Sequence, residues 1–155
     1  MKLFPSFSKD KSLFSLDENA RIVEAIRQAE RLTSGEIRLF IENRCRFVDP
    51  LDRAAEIFWS LKMDQTVHHN SVLLYVAVRD HQFAIFADSG IHSRLGNAFW
   101  EKEVNEMGAH FRQHHYLEAI LLVIQDIGEA LHQHFPFDPT ADKNELPDDI
   151  VFGNS

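Results

Sequence analysis

Residues 71–78 constrain the fold more than any other part of this 155-residue chain, because they are almost wholly apolar. A strand with apolar side chains pointing both ways needs cover on both faces of its sheet. A second apolar segment, Gln82–Ala87, follows after the short turn Arg79-Asp80-His81. The two segments predict an antiparallel hairpin. We expect burial on both faces of its first strand: Val72, Leu74, Val76 and Val78 on one face, Leu73, Tyr75 and Ala77 on the other.

The residues before the hairpin predict a helix, a strand and a crossover helix. Ser15-Leu16-Asp17-Glu18 is a capping box, and apolar residues at helical spacing extend it to a helix over about residues 16–32. Residues 36–46 alternate between apolar and polar, which is typical of a strand. Asp49-Pro50 then begins a second helix, with Asp as N-cap and Pro in the first turn. A right-handed crossover makes the first two strands parallel, and the third is antiparallel to the second.

Two longer helices are predicted after the hairpin, over residues 99–111 and 117–131. Gly128 lies inside the second helix, where it costs about 1 kcal/mol relative to Ala. A close contact between this helix and the sheet would explain it. Together the elements predict the α/β class, as a three-layer α/β/α sandwich on a small mixed β-sheet.

The same pattern divides the chain into three parts. We assign residues 1–14 to an N-terminal extension, 15–136 to a single domain and 137–155 to a C-terminal tail. Pro and Asp accumulate in the tail and its periodicity is lost. The tail is therefore expected to be either a strap over the domain or an unstructured segment.

Charge and composition narrow the classes of partner. The chain has 24 Asp and Glu against 16 Lys and Arg, a formal net charge of −8. This charge repels a nucleic-acid backbone and favours cations. The single cysteine, Cys45, has apolar neighbours that favour a buried thiol over a nucleophile. Without a signal-like apolar region or a membrane-length apolar run, we expect a cytoplasmic protein that neither enters membranes nor binds nucleic acid.

Strand direction brings three oxygen-bearing side chains to one rim of the predicted sheet. Glu36 and Asn70 lie where the first two strands begin, and Asp88 lies where the third strand ends. Because Ca²⁺ binds carboxylate, amide and carbonyl oxygens, we predict a metal site formed by these three residues. Glu101 or Glu103, in the following helix, would add a further ligand. The alternative is that the acids are solvated strand ends or helix caps.

Two other pairs of side chains give weaker signals. Ser89 and His92 would act as nucleophile and base only if the turn brought them together, and surface or capping roles are the simpler interpretation. His110 and His114 have i,i+4 spacing, but the His-Glu-x-x-His zinc pattern is absent and no cysteine pair accompanies them. We expect the histidines to be ordinary exposed residues, and the catalytic residues stay unassigned.

An ordered set of short motifs resembles the TPM domain family. The resemblance extends roughly from residue 16 to residue 147, and the order of the motifs is more specific than any one of them. The motifs are Thr33-Ser34-Gly35-Glu36-Ile37, residues 70–85, Gly90-Ile91, Tyr116-Leu117-Glu118-Ala119-Ile120, Ile127-Gly128, His134-Phe135-Pro136 and Asn144-Glu145-Leu146-Pro147-Asp148. The last of these looks like the tail of the soluble bacterial members.

The resemblance implies an α/β/α sandwich and two kinds of activity. Plant lumenal members are linked to photosystem II repair and are described as acid phosphatases, and some members bind calcium. Many members are membrane-tethered or exported, whereas this chain shows neither signal nor anchor. A common glycine-rich form of the turn after the third strand appears here with an acid, Asp88.

Two functions of different classes follow. The first is a binding or interaction module that holds Ca²⁺ and acts through an unknown protein partner, which the negative charge and the missing catalytic motif favour. The second is a metal-dependent acid phosphatase acting on phosphomonoesters at the rim of Glu36 and Asp88. It requires a nucleophile or a metal-activated water and a group that stabilises the transferring phosphoryl. We favour the first.

Overall fold

A four-stranded mixed sheet organises the chain in the computed structural model, which describes residues 13–45, 48–139 and 150–153. The strand order is β3-β2-β1-β4; β1 is parallel to β2 and β4, and β2 is antiparallel to β3. The elements are α1 (Leu16–Glu30), β1 (Glu36–Glu42), α2 (Pro50–Ser60), β2 (Ser71–Ala77), β3 (Gln82–Ala87), α3 (Ser89–Leu95), α4 (Asn97–Arg112), α5 (Tyr116–His134) and β4 (Ile150–Phe152). The predicted α/β class and strand directions are confirmed.

The caps that the sequence predicts begin α1 and α2. In the capping box of α1, the Glu18 N–H donates to Ser15 Oγ at 3.1 Å and the Ser15 N–H donates to Glu18 Oε1 at 3.0 Å. At α2, the Leu51 N–H donates to Asp49 Oδ2 at 3.0 Å. Helix α1 ends earlier than predicted because Thr33 turns away to α5, where its hydroxyl donates to the carbonyls of Leu131 and Phe135.

Helices cover the two faces of the sheet, which confirms the three layers. One face packs against α1 and α5 through Val72, Leu74 and Val76, together with the odd-numbered residues of β1. The other face packs against α2 through Leu73, Tyr75 and Ala77. The predicted burial on both faces of β2 is confirmed, with Val78 half-buried one residue beyond the strand.

Two elements were absent from the predicted pattern, and one strand is shorter than predicted. Helix α3 follows β3 directly, and the three-residue strand β4 pairs with β1 through Leu39↔Ile150 and Ile41↔Phe152. Strand β1 ends at Glu42. Much of the predicted N-terminal extension and C-terminal tail lies outside the described residues, so those boundaries stay predictions.

A buried ion pair fastens α2 to the sheet. Glu42 is buried in β1, and Arg53 of α2 binds its carboxylate with two bonds of 2.9 Å, from Nε and from Nη2. The Tyr75 hydroxyl donates to the same carboxylate at 2.5 Å. Cys45, close by in sequence, is buried as predicted, and burial raises the pKa of its thiol.

Gly128 permits a contact between two helices, so the predicted explanation, a contact between helix and sheet, was wrong. A Cβ atom at this position would lie 2.8 Å from the Cβ of Ala29 in α1. Side-chain carbon atoms do not approach so closely. Helices α1 and α5, which cover the same face of the sheet, therefore contact each other closely at this glycine.

We predict that Leu74→Ala lowers the free energy of unfolding by about 2–5 kcal/mol, because Leu74 is fully buried and its loss leaves a cavity. Urea denaturation measures the change. The control is Leu122→Ala, at an exposed leucine of α5. A loss below about 1 kcal/mol at Leu74 would contradict its place in the core.

We predict that Gly128→Ala destabilises the fold even though Ala is the better helix former by about 1 kcal/mol. The new methyl group collides with Ala29, and overpacking costs about 1–3 kcal/mol. Adding Ala29→Gly should restore most of the lost stability, since it moves the gap to the other helix. Thermal melts of the two single variants and the double variant test this. An increase in stability for Gly128→Ala alone would rule out the collision.

Candidate functional site

The rim at which β1 and β2 begin holds the three predicted ligands. Glu36 pairs with Ser71 across the parallel strands, and the Asp88 N–H donates to the Ser71 carbonyl at 3.0 Å. Ser71 therefore lies between Glu36 and Asp88, whose α carbons are about 10 Å apart across two strand spacings. Side chains alternate along a strand, so the register puts both acids on the face of Leu73 and Phe86, which α2 covers. Asn70 directly precedes Ser71.

All three residues are buried: Glu36 is 3% exposed, Asn70 1% and Asp88 5%. The Asn70 Nδ2 donates to Ser34 Oγ at 3.1 Å. Its Oδ1 is buried and accepts no hydrogen bond within the described part of the chain. Buried oxygens in native proteins almost always have a partner, so this one calls for a donor or a cation.

Asp88 is the N-cap of α3. A helix cap was the alternative to a metal ligand that the sequence allowed for this residue. Its Oδ1 accepts from the Ser89 N–H at 2.7 Å, and His69 Nδ1 lies 3.2 Å from its Oδ2. A carboxylate offers about four lone-pair positions, so these two contacts leave acceptor capacity. Sequence reasoning missed His69, because nothing in a separation of 19 residues indicates the contact.

Gly90 allows the loop before β2 to lie against α3. A Cβ atom here would be 2.1 Å from the carbonyl oxygen of His68 and 2.5 Å from that of His69. The Ile91 N–H donates to the same His69 carbonyl at 3.2 Å. Only glycine permits this approach, which places backbone carbonyls of the loop next to Asp88.

A groove of about 990 Å³ runs along β3 between α2 and α4. Its walls carry Trp59 and Trp100. The acids that line it are Asp49, Asp64, Asp88 and Glu101, and its described lining includes neither lysine nor arginine. Glu101 thus shares the groove with Asp88, whereas Glu103 does not line it.

Comparison with known proteins identifies the family. A family model for the TPM domain matches residues 8–130. The chain belongs to the TPM domain family. It is similar to the BA42 protein from the psychrophilic bacterium Bizionia argentinensis, whose NMR structure is 39% identical with a TM-score of 0.85, covering 94% of this chain and 99% of that chain.

More distant structures share the fold of this TPM domain. The N-terminal domain of the cg2496 protein from Corynebacterium glutamicum is 15% identical with a TM-score of 0.63, covering 84% of this chain and 86% of that chain. An N-terminal domain of a protein from P. gingivalis is 15% identical with a TM-score of 0.67, covering 83% and 85%. A comparison with curated proteins gives no match. Among the described residues, none of the helices has the length and apolar character that crossing a membrane requires.

Among the described residues, two clusters of side chains away from the rim each bring three ligand atoms within 4.8 Å of one another. One joins Glu103 and Glu106 of α4 to Asp126 of α5. The other joins His110, His115 and Glu118. His114, whose i,i+4 spacing from His110 was noted in the sequence, does not belong to this cluster, and its Nδ1 lies 2.8 Å from the Tyr116 hydroxyl.

Glu103 is almost fully buried in the first of these clusters. Burial raises its pKa from 4.5 to about 8, and a hydrogen bond to Asp126 and the charges of Asp126 and Glu106 act in the same direction. Lys102 opposes them weakly. Glu103 is therefore largely protonated at neutral pH.

A second cavity, of about 650 Å³, lies at the hairpin end of β3. Its arginine and histidine lining residues are Arg79, His81, Arg112 and His114, and no Asp or Glu lines it in the described parts of the chain. Strand β3 therefore runs from a basic cavity to an acidic groove.

We predict that the TPM domain loses stability through Glu103 as the pH rises. The pKa of Glu103 is raised in the folded state, so the folded protein holds this proton more tightly than the unfolded chain. The free energy of unfolding should fall from about pH 4.5 to about pH 8 and then level off. Glu103→Gln should remove this part of the pH dependence, since an amide keeps a donor for Asp126 without a charge.

Urea denaturation across this pH range, for wild type and Glu103→Gln, measures the effect. The difference between the two proteins isolates Glu103, because the nine histidines are common to both. If the free energies of unfolding of the two proteins change with pH in the same way, ionisation of the buried Glu103 does not lower stability.

Proposed function

We propose that this TPM domain is a binding module that holds a divalent cation, Ca²⁺, at the rim of Glu36, Asn70 and Asp88 and acts through a protein partner. The observation that carries the proposal is the register of the sheet. It sets two buried carboxylate residues on either side of Ser71 with a buried amide beside them.

The spacing of the two acids suits one cation between them. Their α carbons are about 10 Å apart, within the combined reach of a Glu and an Asp side chain that share one Ca²⁺, which binds oxygens at about 2.3–2.6 Å. The contacts of Asp88 with Ser89 and His69 use only part of its carboxylate. Its remaining lone pairs support a role in binding the same cation.

The chemistry of the donors also favours a hard cation. Asn70 Oδ1 is a buried oxygen with no donor among the described residues. The His68 and His69 carbonyls that lie against Gly90 are neutral oxygens next to Asp88. Carboxylate, amide and carbonyl oxygens are the ligands that Ca²⁺ uses in proteins.

We predict that Ca²⁺ raises the melting temperature, because a ligand that binds only the folded state stabilises it by mass action. At about ten times its Kd the ion should add about 3–6 °C to a domain of this size. Asp88→Asn should reduce the gain while leaving the apo protein folded, since Asn also accepts the Ser89 N–H as an N-cap. Thermal melts with Ca²⁺ and with EDTA measure both effects.

The matched control for this prediction is Glu103→Gln, which removes an acid from the cluster between α4 and α5. It should keep the full calcium response. An equal response in wild type and Asp88→Asn would overturn the rim site. A response that disappears only in Glu103→Gln would place the ion in the other cluster.

The alternative function is a metal-dependent phosphatase. Ser89 and His92 line the same groove as Asp88, yet no hydrogen bond joins their side chains in the described parts of the chain. A nucleophile needs a base within reach, so the geometry favours binding over catalysis. Turnover of p-nitrophenyl phosphate by wild type with Ca²⁺, lost in Asp88→Asn, would reverse this preference.

A further inference from the structure

We propose that the outer edge of β3 binds an extended, basic segment of a partner protein, which adds to the sheet as a fifth strand inside the acidic groove. The inference rests on the proposed role as an interaction module and names the chemistry of the partner. It does not require the cation.

The outer edge of β3 is unpaired. Strand β3 is at the end of the sheet and pairs with β2 alone among the described strands. Hydrogen-bonded pairs alternate along an antiparallel ladder, and the bond from Asp88 to Ser71 fixes the phase. The N–H and carbonyl groups of Phe83, Ile85 and Ala87 therefore point away from β2, and no other described residue bonds to them.

This edge also lacks the usual protection against strand addition. Natural edge strands are commonly blunted by charged residues, proline or a bulge. Gln82–Ala87 contains neither charge nor proline, and its pairing with β2 continues without a bulge from Val72↔Ala87 to Ala77↔Gln82. The strand is thus a regular, uncharged template with free backbone groups.

The walls of the groove offer apolar anchors. On the α2 side, Trp59 is 54% exposed and Leu51 50% exposed. On the α4 side, Trp100 lines the groove with Val104, and its buried Nε1 donates to no acceptor among the described residues. Tryptophan is enriched among the residues that dominate binding energies at protein interfaces.

The charge of the groove selects a basic partner. Asp64 and Glu101 line it and form no ion pair with any described residue, and Asp49 and Asp88 add to the negative field. Lysine or arginine on a docked segment would complement these acids. A second copy of this chain would instead bring the same acids together, so the charge disfavours dimerisation through this edge.

The test uses the full chain and a fluorescein-labelled synthetic peptide of alternating lysine and valine, with alternating glutamate and valine as its counterpart. Fluorescence anisotropy should show binding of the basic peptide alone. In NMR spectra, the amide signals of Phe83, Ile85 and Ala87 and the two indole N–H signals should shift. Shifts confined to other parts of the surface would overturn the proposal.

Two variants test the contacts separately. Asp64→Asn with Glu101→Gln should weaken binding by about three- to tenfold, the range that two partly exposed ion pairs supply. Ala87→Pro should weaken it by removing an outward donor, while the fold survives because that N–H does not bond to β2. Glu129→Gln with Glu118→Gln, on α5 away from the groove, is the charge control and should bind like wild type.

Two peptides, one methylated on the backbone nitrogens of its valines and one on those of its lysines, separate strand addition from simple charge attraction, because alternate N–H groups of an added strand face β3. Loss of binding in at least one of them supports the added strand, and unchanged binding in both overturns it. Self-association of the free protein in analytical ultracentrifugation, lost in Ala87→Pro, would make a second copy the occupant.

Measurements with EDTA and with Ca²⁺ keep this inference distinct from the proposed calcium site. Peptide binding in EDTA, without any calcium effect on the melting temperature, would support the groove and contradict the cation. A calcium response without peptide binding would contradict the groove alone.

Discussion

The parallel pairing of β1 and β2 is the constraint on which the rest of the structure depends. Every residue of both strands is buried, so a layer of helices has to cover each face. One layer brings the crossover helix α2 over Glu42, whose buried carboxylate needs the guanidinium of Arg53. This ion pair holds α2 in place, and α2 in turn forms one wall of the groove beside β3. The candidate site is thus a consequence of how the central strands are covered.

Local patterns made much of the fold predictable. The apolar run of β2, the hairpin that follows it and the caps at Ser15 and Asp49 are signals within a few residues of one another. Strand β4 gave no such signal, because three residues that pair across more than a hundred positions have no periodicity to detect. Helix α3 is too short to show an amphipathic face. Gly128 was recognised as a close contact, but its partner depends on how α1 crosses α5.

The candidate site was likewise only partly predictable from the sequence. Strand direction was sufficient to place Glu36, Asn70 and Asp88 at one rim, because that placement follows from topology alone. The contact of His69 with Asp88 depends on how a loop folds over Gly90. The groove depends on the packing of α2 and α4 on either side of an edge strand. Patterns along the chain do not encode distances between elements, so these features needed coordinates.

The two cavities at the ends of β3 give the edge of this sheet an electrical polarity. Arginines and histidines surround the hairpin end, and acids surround the end that leads into α3. A chain that approaches with unevenly distributed charges experiences a torque before it makes contact, so one of its two possible directions along β3 is preferred. This guidance weakens beyond about 10 Å at 0.1 M salt. Ionic strength would therefore alter how quickly and in which direction a segment arrives more than how long it stays.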